Sequence, residues 1–158
     1  MRRGDAKGRD AIVVGADGSP TADVALAHAG ALATQLGGEV HVVCSYQTRL
    51  VGGWVGTLGG VAVAELTAVE QARAYAEEIV AAARRRLEDL KLSVHTHVRG
   101  DEPAQALVAV ADETRARMIV VGSQRMSGAR RVLGSVPHRV SHHAHCAVLI
   151  VPTDQAHA

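Results

Sequence analysis

The chain has 158 residues, of which 47% are apolar and 21% charged, and this composition excludes a disordered or low-complexity protein. Its 17 Lys and Arg exceed its 16 Asp and Glu by a single charge, too small an excess for a dedicated nucleic-acid-binding protein. With 2% aromatic residues and no Phe, the sequence also lacks the stacking surfaces that single-stranded nucleic acid needs. We expect one domain at 10–152, between a flexible segment at 1–9 and a short tail at 153–158.

Short apolar runs alternate with longer helical stretches along the whole chain. Residues 11–14 and 118–121 are unbroken apolar runs, typical of strands buried on both faces. Ser19-Pro20 predicts a helix start, because Ser caps a helix and Pro suits its first position. In chain order, the predicted elements are strand 11–14, helix 20–36, strand 40–45, an irregular segment 46–61, helix 63–90, strand 92–98, helix 103–113, strand 118–121, a loop 122–134, helix 135–143 and strand 147–151.

This alternation predicts an α/β fold, a parallel sheet with helices on both faces. The polar face of residues 92–98 places that strand nearer a sheet edge. No apolar run is long enough for a signal peptide or a membrane span, so we expect a cytoplasmic protein without a membrane partner.

Ligands of open parallel sheets bind at the carboxyl ends of the strands, so the loops that follow strands deserve inspection. The loop between Gly122 and Ser135 is rich in glycine and leads into a helix, whose free backbone N–H groups favour an anion. The pattern favours a phosphate cradle, although a surface loop with an ordinary cap at Ser135 explains it as well. Asp17 could accept a hydrogen bond from a ribose or help to hold Mg²⁺, or it could simply close an Asx turn.

Three segments together resemble the universal stress protein family. They are Ile12-Val-Val-Gly-Ala-Asp-Gly-Ser19, Gly100-Asp-Glu-Pro-Ala-Gln-Ala-Leu107, and Val120-Val-Gly-Ser with the stretch 134–151. The resemblance implies a Rossmann-like open sheet of five parallel strands in the order 3-2-1-4-5. It also implies a homodimer joined through strand 147–151, and an adenine nucleotide such as ATP or cyclic AMP as ligand.

The resemblance also implies the site residues. Gly122 corresponds to the first glycine of the family's ATP-binding motif, and Gly134-Ser135, followed by Val136, to its closing pair. Asp17, between Ala16 and Gly18, would lie near adenine and ribose, and the backbone of Ser45 would read the adenine edge. The motif's second glycine is replaced by Arg125 and the loop is one residue short, so Arg125 could block the phosphates or bind them, and Gly128 could supply the missing flexibility.

Three classes of function follow for this chain. The first is a non-catalytic, nucleotide-binding sensor or regulator of the stress response. Slow ATP hydrolysis is compatible with this role, but we expect no fast catalysis, since the sequence shows no nucleophile–base pair. The second is the same fold without nucleotide, acting as a dimeric interaction module. The third, a nucleotidyl transferase, lacks its phosphate motif.

Three further features each allow a simpler explanation. His138, His142, His143, His145 and Cys146 suggest a metal site, but they also fit a His-rich helix end, and we expect no metal there. Cys44 ends a buried strand and is interpreted as a small core residue. The glycine-flanked Trp54 could belong to a lid or a loop.

Overall fold

A computed structural model describes residues 10–46, 59–123 and 135–153. Its five strands form one parallel sheet in the order β3-β2-β1-β4-β5, which confirms the predicted fold class and strand order. The strands are β1 (Ala11–Gly15), β2 (Glu39–Ser45), β3 (Ser93–Arg99), β4 (Met118–Gly122) and β5 (Ala147–Val151).

Four helices connect the strands: α1 (Pro20–Leu36), α2 (Gly59–Leu87), α3 (Pro103–Thr114) and α4 (Ser135–His143). Helix α2 begins four residues before the predicted start, because the helical segment that follows offsets the roughly 1 kcal/mol that each glycine costs. Its last predicted turn is a separate 3₁₀ turn at Glu88–Leu90, which ends at Lys91 in the left-handed conformation (φ 54°). Residues 47–58, including Trp54, lie outside the described ranges.

The sheet has an apolar core on each face. Ile12 and Val14 face α1 and α2, whereas Val13 and Ile119 face α3 and α4. All four side chains are fully buried, and each such burial stabilises the fold by about 1.5–3 kcal/mol. The unbroken apolar runs of β1 and β4 are therefore explained by helices on both sides.

The two outer strands are less covered. In β3, which the sequence placed near an edge, Ser93 and His95 are exposed. In β5, Ala147 and Leu149 are exposed while Val151 is buried. Both edges therefore present side chains to the surroundings.

The helix ends fix where the loops begin. Ser19 caps α1 as predicted: its Oγ accepts the N–H of Ala22 at 3.2 Å, and Pro20 occupies the first helical position. Gly37 ends α1 in the left-handed conformation. Within the described ranges, no helix is both long and apolar enough to cross a membrane.

Candidate functional site

A cleft of about 220 Å³ opens at the carboxyl ends of β1 and β4. From these neighbouring strands the chain continues to opposite faces of the sheet, into α1 on one side and α4 on the other, and this divergence leaves a crevice between them. The cleft is lined by Gly15, Ala16, Asp17, Ser19, Thr21, Ala22, Val43, Ser45, Pro103, Leu107, Val121, Gly122, Val136 and Pro137.

The loop after β1 forms one wall, and its shape is fixed by hydrogen bonds. The N–H of Ser19 donates to Oδ1 of Asp17 at 2.8 Å, which closes an Asx turn, and Gly18 between them has a φ of +80°. The N–H of Ala16 donates to the carbonyl of Val43 at 2.8 Å and ties the loop to β2. Asp17 thus closes the turn and lines the cleft with an exposed carboxylate. The turn and a ligand contact are compatible roles.

Gly122, at the end of β4, is required by a close approach of the backbone. A Cβ at this position would lie 2.8 Å from the carbonyl oxygen and 2.6 Å from Cγ2 of Thr21 in α1. Sequence reasoning assigned this glycine to contact with phosphate. The contact with Thr21 is a second reason for glycine here, and it holds whether or not a ligand is bound.

The exit from β4 is tied to the end of β5. The N–H of Ser123 donates to the carbonyl of Val151 at 2.8 Å, and the N–H of Thr153 donates to Oγ of Ser123 at 3.2 Å. The hydroxyl of Thr153 also donates to the carbonyl of Ser123. The start of the glycine-rich loop is therefore held in place, while Arg125, Gly128 and Gly134 lie outside the described residues.

The floor of the cleft is largely apolar. Val43 and Val121 come from the carboxyl ends of two strands, and Leu107 projects from α3. Ser45 ends β2, and the next residue, Tyr46, donates its N–H to the carbonyl of Arg99 at 2.8 Å. An apolar floor with a few polar groups at its rim is the usual design of a small-molecule site.

Five of the predicted site residues line this one cleft: Ala16, Asp17, Ser45, Gly122 and Val136. Gly18 and Ser135 do not line it: Gly18 forms the Asx turn, and Ser135 is the exposed first residue of α4.

Sequence reasoning missed several residues that line the cleft, among them Thr21, Val43, Pro103 and Leu107. The position of Val43 at a strand end was a usable signal for its place in the cleft. The side chains of α3 reach the cleft through tertiary packing, which no local pattern contains.

Cys44 is 3% exposed, which confirms its interpretation as a core residue. Burial, helped by the negative charge of Asp17, raises the pKa of its thiol to about 11. The thiol is therefore protonated and unreactive at neutral pH.

The His-rich end of α4 forms pairs. The rings of His138 and His142 lie 4.6 Å apart, and Nδ1 of His145 is 3.2 Å from Oδ1 of Asp112. Burial, with a smaller effect from Asp112, raises the pKa of Cys146. Across residues 10–46, 59–123 and 135–153, three ligand-type side chains converge in one place, at Glu39, His41 and His95.

Comparison with known proteins identifies the family to which this chain is similar. Residues 8–152 match the model of the universal stress protein family. A universal stress protein of Methanocaldococcus jannaschii, MJ0531, is 29% identical over 141 residues, which cover 89% of this chain and 80% of that protein.

Two solved structures are similar in fold. A universal stress protein in complex with cAMP is 26% identical with a TM-score of 0.66, over 91% of this chain and 97% of that chain. The universal stress protein of Archaeoglobus fulgidus in complex with dAMP is 27% identical with a TM-score of 0.60, over 89% of this chain and 95% of that chain. With the family model spanning nearly all of its length and the expected sheet order in place, the chain belongs to the universal stress protein family.

Proposed function

We propose that this protein binds an adenine nucleotide in the cleft between the ends of β1 and β4 and acts in the stress response as a non-catalytic sensor or regulator. The observation that carries the proposal is the convergence of Asp17, Ser45, Gly122 and Val136 on one crevice at the point where the strand order reverses. Its location in the cytoplasm is part of the proposal.

The chemistry of the cleft suggests how the nucleotide lies. The base packs on the apolar floor formed by Val43 and Leu107, with the backbone of Ser45 at its edge. The carboxylate of Asp17 faces the ribose and accepts hydrogen bonds from its hydroxyls. These groups make the cleft selective for a nucleoside rather than for a bare phosphate.

The phosphates extend toward the start of α4. The first backbone N–H groups of this helix are available to an anion, and they lie at the positive end of the helix dipole. Ser135 supplies a hydroxyl there, and Mg²⁺ would accompany a triphosphate. Arg125, Gly128 and Gly134, which precede Ser135 in the sequence, are the other proposed phosphate contacts. Arg125 takes the phosphate-binding role in this proposal, because a guanidinium suits phosphate geometry.

The size of the cleft and the ligands of similar proteins both support a mononucleotide as the ligand. A volume of about 220 Å³ falls just below the roughly 300–1,000 Å³ of drug-sized ligand pockets, which suits a base and ribose whose phosphates lie outside. Two structurally similar universal stress proteins were solved with cAMP and dAMP, both adenine mononucleotides. ATP and cyclic AMP are the candidate ligands for this chain.

The proposed homodimer forms through β5. This edge strand presents Leu149, 37% exposed, beside backbone groups that have no further strand to pair with in the sheet formed by the described residues. The same exposed edge favours the alternative function, a dimeric interaction module without nucleotide. The two functions differ in whether the cleft is occupied.

The test is calorimetric titration of ATP, ADP, AMP, cyclic AMP and dAMP into protein freed of bound nucleotide. We expect at least one ribonucleotide to bind more tightly than about 1 mM, which corresponds to about 4 kcal/mol. If none does, the proposal fails and the interaction module replaces it. Multiple-turnover ATP hydrolysis in the same samples would contradict the non-catalytic role.

A matched variant tests the role of Asp17. Asp17→Asn keeps an oxygen that can accept the N–H of Ser19, so the turn is retained while the charge is lost. We expect about tenfold weaker binding of AMP and little change for dAMP if the carboxylate holds the ribose 2′-hydroxyl. Asp89→Asn, in the 3₁₀ turn far from the cleft, is the control.

A further inference from the structure

A cluster of four polar side chains lies on the edge of the sheet formed by β2 and β3. Glu39 and His41 are two residues apart on β2, and His95 and His97 are two apart on β3, so each pair shares one face of its strand. The parallel register sets His41 directly beside His95. Helix α2 packs on the opposite face of β3, and on this face Glu39 and His97 are half-buried and His95 is exposed.

We infer that Glu39, His41 and His95 form a binding site for a divalent transition metal of the zinc class. Their ligand atoms all lie within 4.8 Å of one another. Nε2 of His41 is 3.2 Å from Oε1 of Glu39, and Nε2 of His95 is 3.3 Å from Oε2 of the same carboxylate.

These separations suit tetrahedral coordination. Metal–ligand bonds of about 2.0–2.1 Å place neighbouring ligand atoms about 3.3 Å apart at the corners of a tetrahedron. Closing the rest of the gap takes side-chain rotation, and His95, whose side chain is 51% exposed, is the least confined of the three. Two imidazoles and one carboxylate leave the fourth position open to water on the exposed side.

His97 positions the central ligand. Its Nε2 lies 2.9 Å from Nδ1 of His41. When a metal binds Nε2 of His41, the proton of that ring lies on Nδ1 and can be donated to His97. A hydrogen bond from the second ring nitrogen is the usual support of a metal-ligating histidine.

Burial and charge further suit a cation. His41 is 6% exposed, and it is the sole buried polar residue among those described. The carboxylate of Glu39, whose side chain is 24% exposed, lies within hydrogen-bonding distance of both imidazoles. Arg99, at the end of β3, forms an ion pair with Glu113.

The chemistry also selects the class of metal. Imidazole nitrogen with one carboxylate suits zinc, nickel, cobalt or copper, whereas Mg²⁺ and Ca²⁺ prefer oxygen ligands throughout. A bound ion would link β3 to β2. Because β3 is an edge strand of the sheet, its backbone forms sheet hydrogen bonds only with β2 among the described residues. This inference does not depend on nucleotide binding, since His41 lies four residues, about 13 Å, before Ser45 along β2.

The test is titration of the intact protein with Co²⁺, followed by its visible absorption, and then displacement of Co²⁺ by Zn²⁺. We expect one Co²⁺ per chain with a tetrahedral spectrum, displaced by Zn²⁺ and unaffected by excess Mg²⁺. Glu39→Gln and His95→Gln should each weaken binding by more than about 100-fold, since even the loss of a supporting residue costs about 10–100-fold. Both positions are partly exposed, so their variants should fold, and circular dichroism checks that they do.

Two more variants separate this site from other histidines. His142→Gln, in the His-rich end of α4, should leave Co²⁺ affinity unchanged. His97→Gln should weaken binding about 10–100-fold while the spectrum stays tetrahedral, as a positioning residue predicts. Unchanged affinity in folded Glu39→Gln and His95→Gln variants, loss of binding with His142→Gln instead, or no complex tighter than about 1 mM would each overturn the inference.

Discussion

The two edges of the sheet occupy equivalent places and carry opposite chemistry. At the β3 edge, glutamate and three histidines gather on one face, and an ion pair joins Arg99 to Glu113 in α3. At the β5 edge, the strand Ala147–Val151 is entirely apolar, and Leu149 is exposed. Charged side chains protect an edge strand from pairing with another chain, whereas an apolar edge invites it. These differences match the two proposals, a cation at the β3 edge and a second copy of the chain at the β5 edge.

The largest expected effect on stability comes from a substitution in the centre of the sheet, between the two edges. Ile119 is fully buried in β4, and Ile119→Ala should lower the free energy of unfolding by about 2–5 kcal/mol through lost burial and the cavity left behind. Ile150→Ala, at a half-buried position of β5, should cost markedly less. Urea unfolding measures both. Equal losses would mean that the β5 edge is as confined as the centre of the sheet.

The next effect tests the apolar edge directly. Leu149→Glu places a charge in the proposed dimer interface and should weaken self-association by more than about 100-fold, because the charge would be buried without a partner. Sedimentation analysis measures the dissociation constant. Thr96→Glu, an exposed position on β3, is the matched control and should leave association unchanged. A monomeric wild-type protein, or association lost only with Thr96→Glu, would contradict the assignment of the edges.

The two cysteines allow a chemical comparison, because Cys44 adjoins β3 and Cys146 precedes β5. With a pKa of about 11 in place of 9.0, Cys44 has about 100-fold less thiolate than an ordinary thiol. Native alkylation followed by mass spectrometry should therefore modify half-buried Cys146 first, and both thiols at similar rates in urea. Faster modification of Cys44 in the folded protein would show that the interior beside β3 is open.

The same pKa predicts how stability depends on pH. The folded state holds the Cys44 proton more tightly than the unfolded chain, so this contribution is complete below pH 9 and is lost as pH rises from about 9 towards 11. Urea unfolding across this range should show a decline that is smaller in Cys44→Ala. An identical pH dependence of the unfolding free energy in both proteins would contradict a raised pKa of Cys44 in the folded state.

The smallest effect concerns the ion pair at the β3 edge. Glu113→Gln leaves Arg99 without its partner, but both groups are partly exposed, so the loss should stay below about 1 kcal/mol. High salt should shrink it further. A loss of several kcal/mol, measured by urea unfolding, would mean that this pair rather than the sheet holds β3 in place.

Local pattern predicted most of the fold, because each strand and helix has its own signal. The apolar runs of β1 and β4 and the Ser19-Pro20 start of α1 needed no tertiary information. The start of α2 was wrong, since Gly59 and Gly60 favour a turn by themselves but continue a long helix here.

The candidate site was predictable only in part, and the cluster of Glu39, His41 and His95 was not predicted. Asp17 and Gly122 follow strands and could be placed at the sheet edge from sequence, whereas Leu107 reaches the cleft because α3 packs above it. Sequence reasoning looked for ligands near His142, among residues close together in the chain. It could not foresee that the β2–β3 register sets His41 beside His95, 54 positions away.

The bonds of Ser123 have a mechanical consequence. Three hydrogen bonds fasten this residue to Val151 and Thr153, at the far end of the apolar edge. A ligand that displaces the backbone at the end of β4 must either shift β5 as well or break these hydrogen bonds. If the proposed nucleotide and the proposed dimer both form, Ser123 therefore couples occupancy of the cleft to the geometry of the subunit interface.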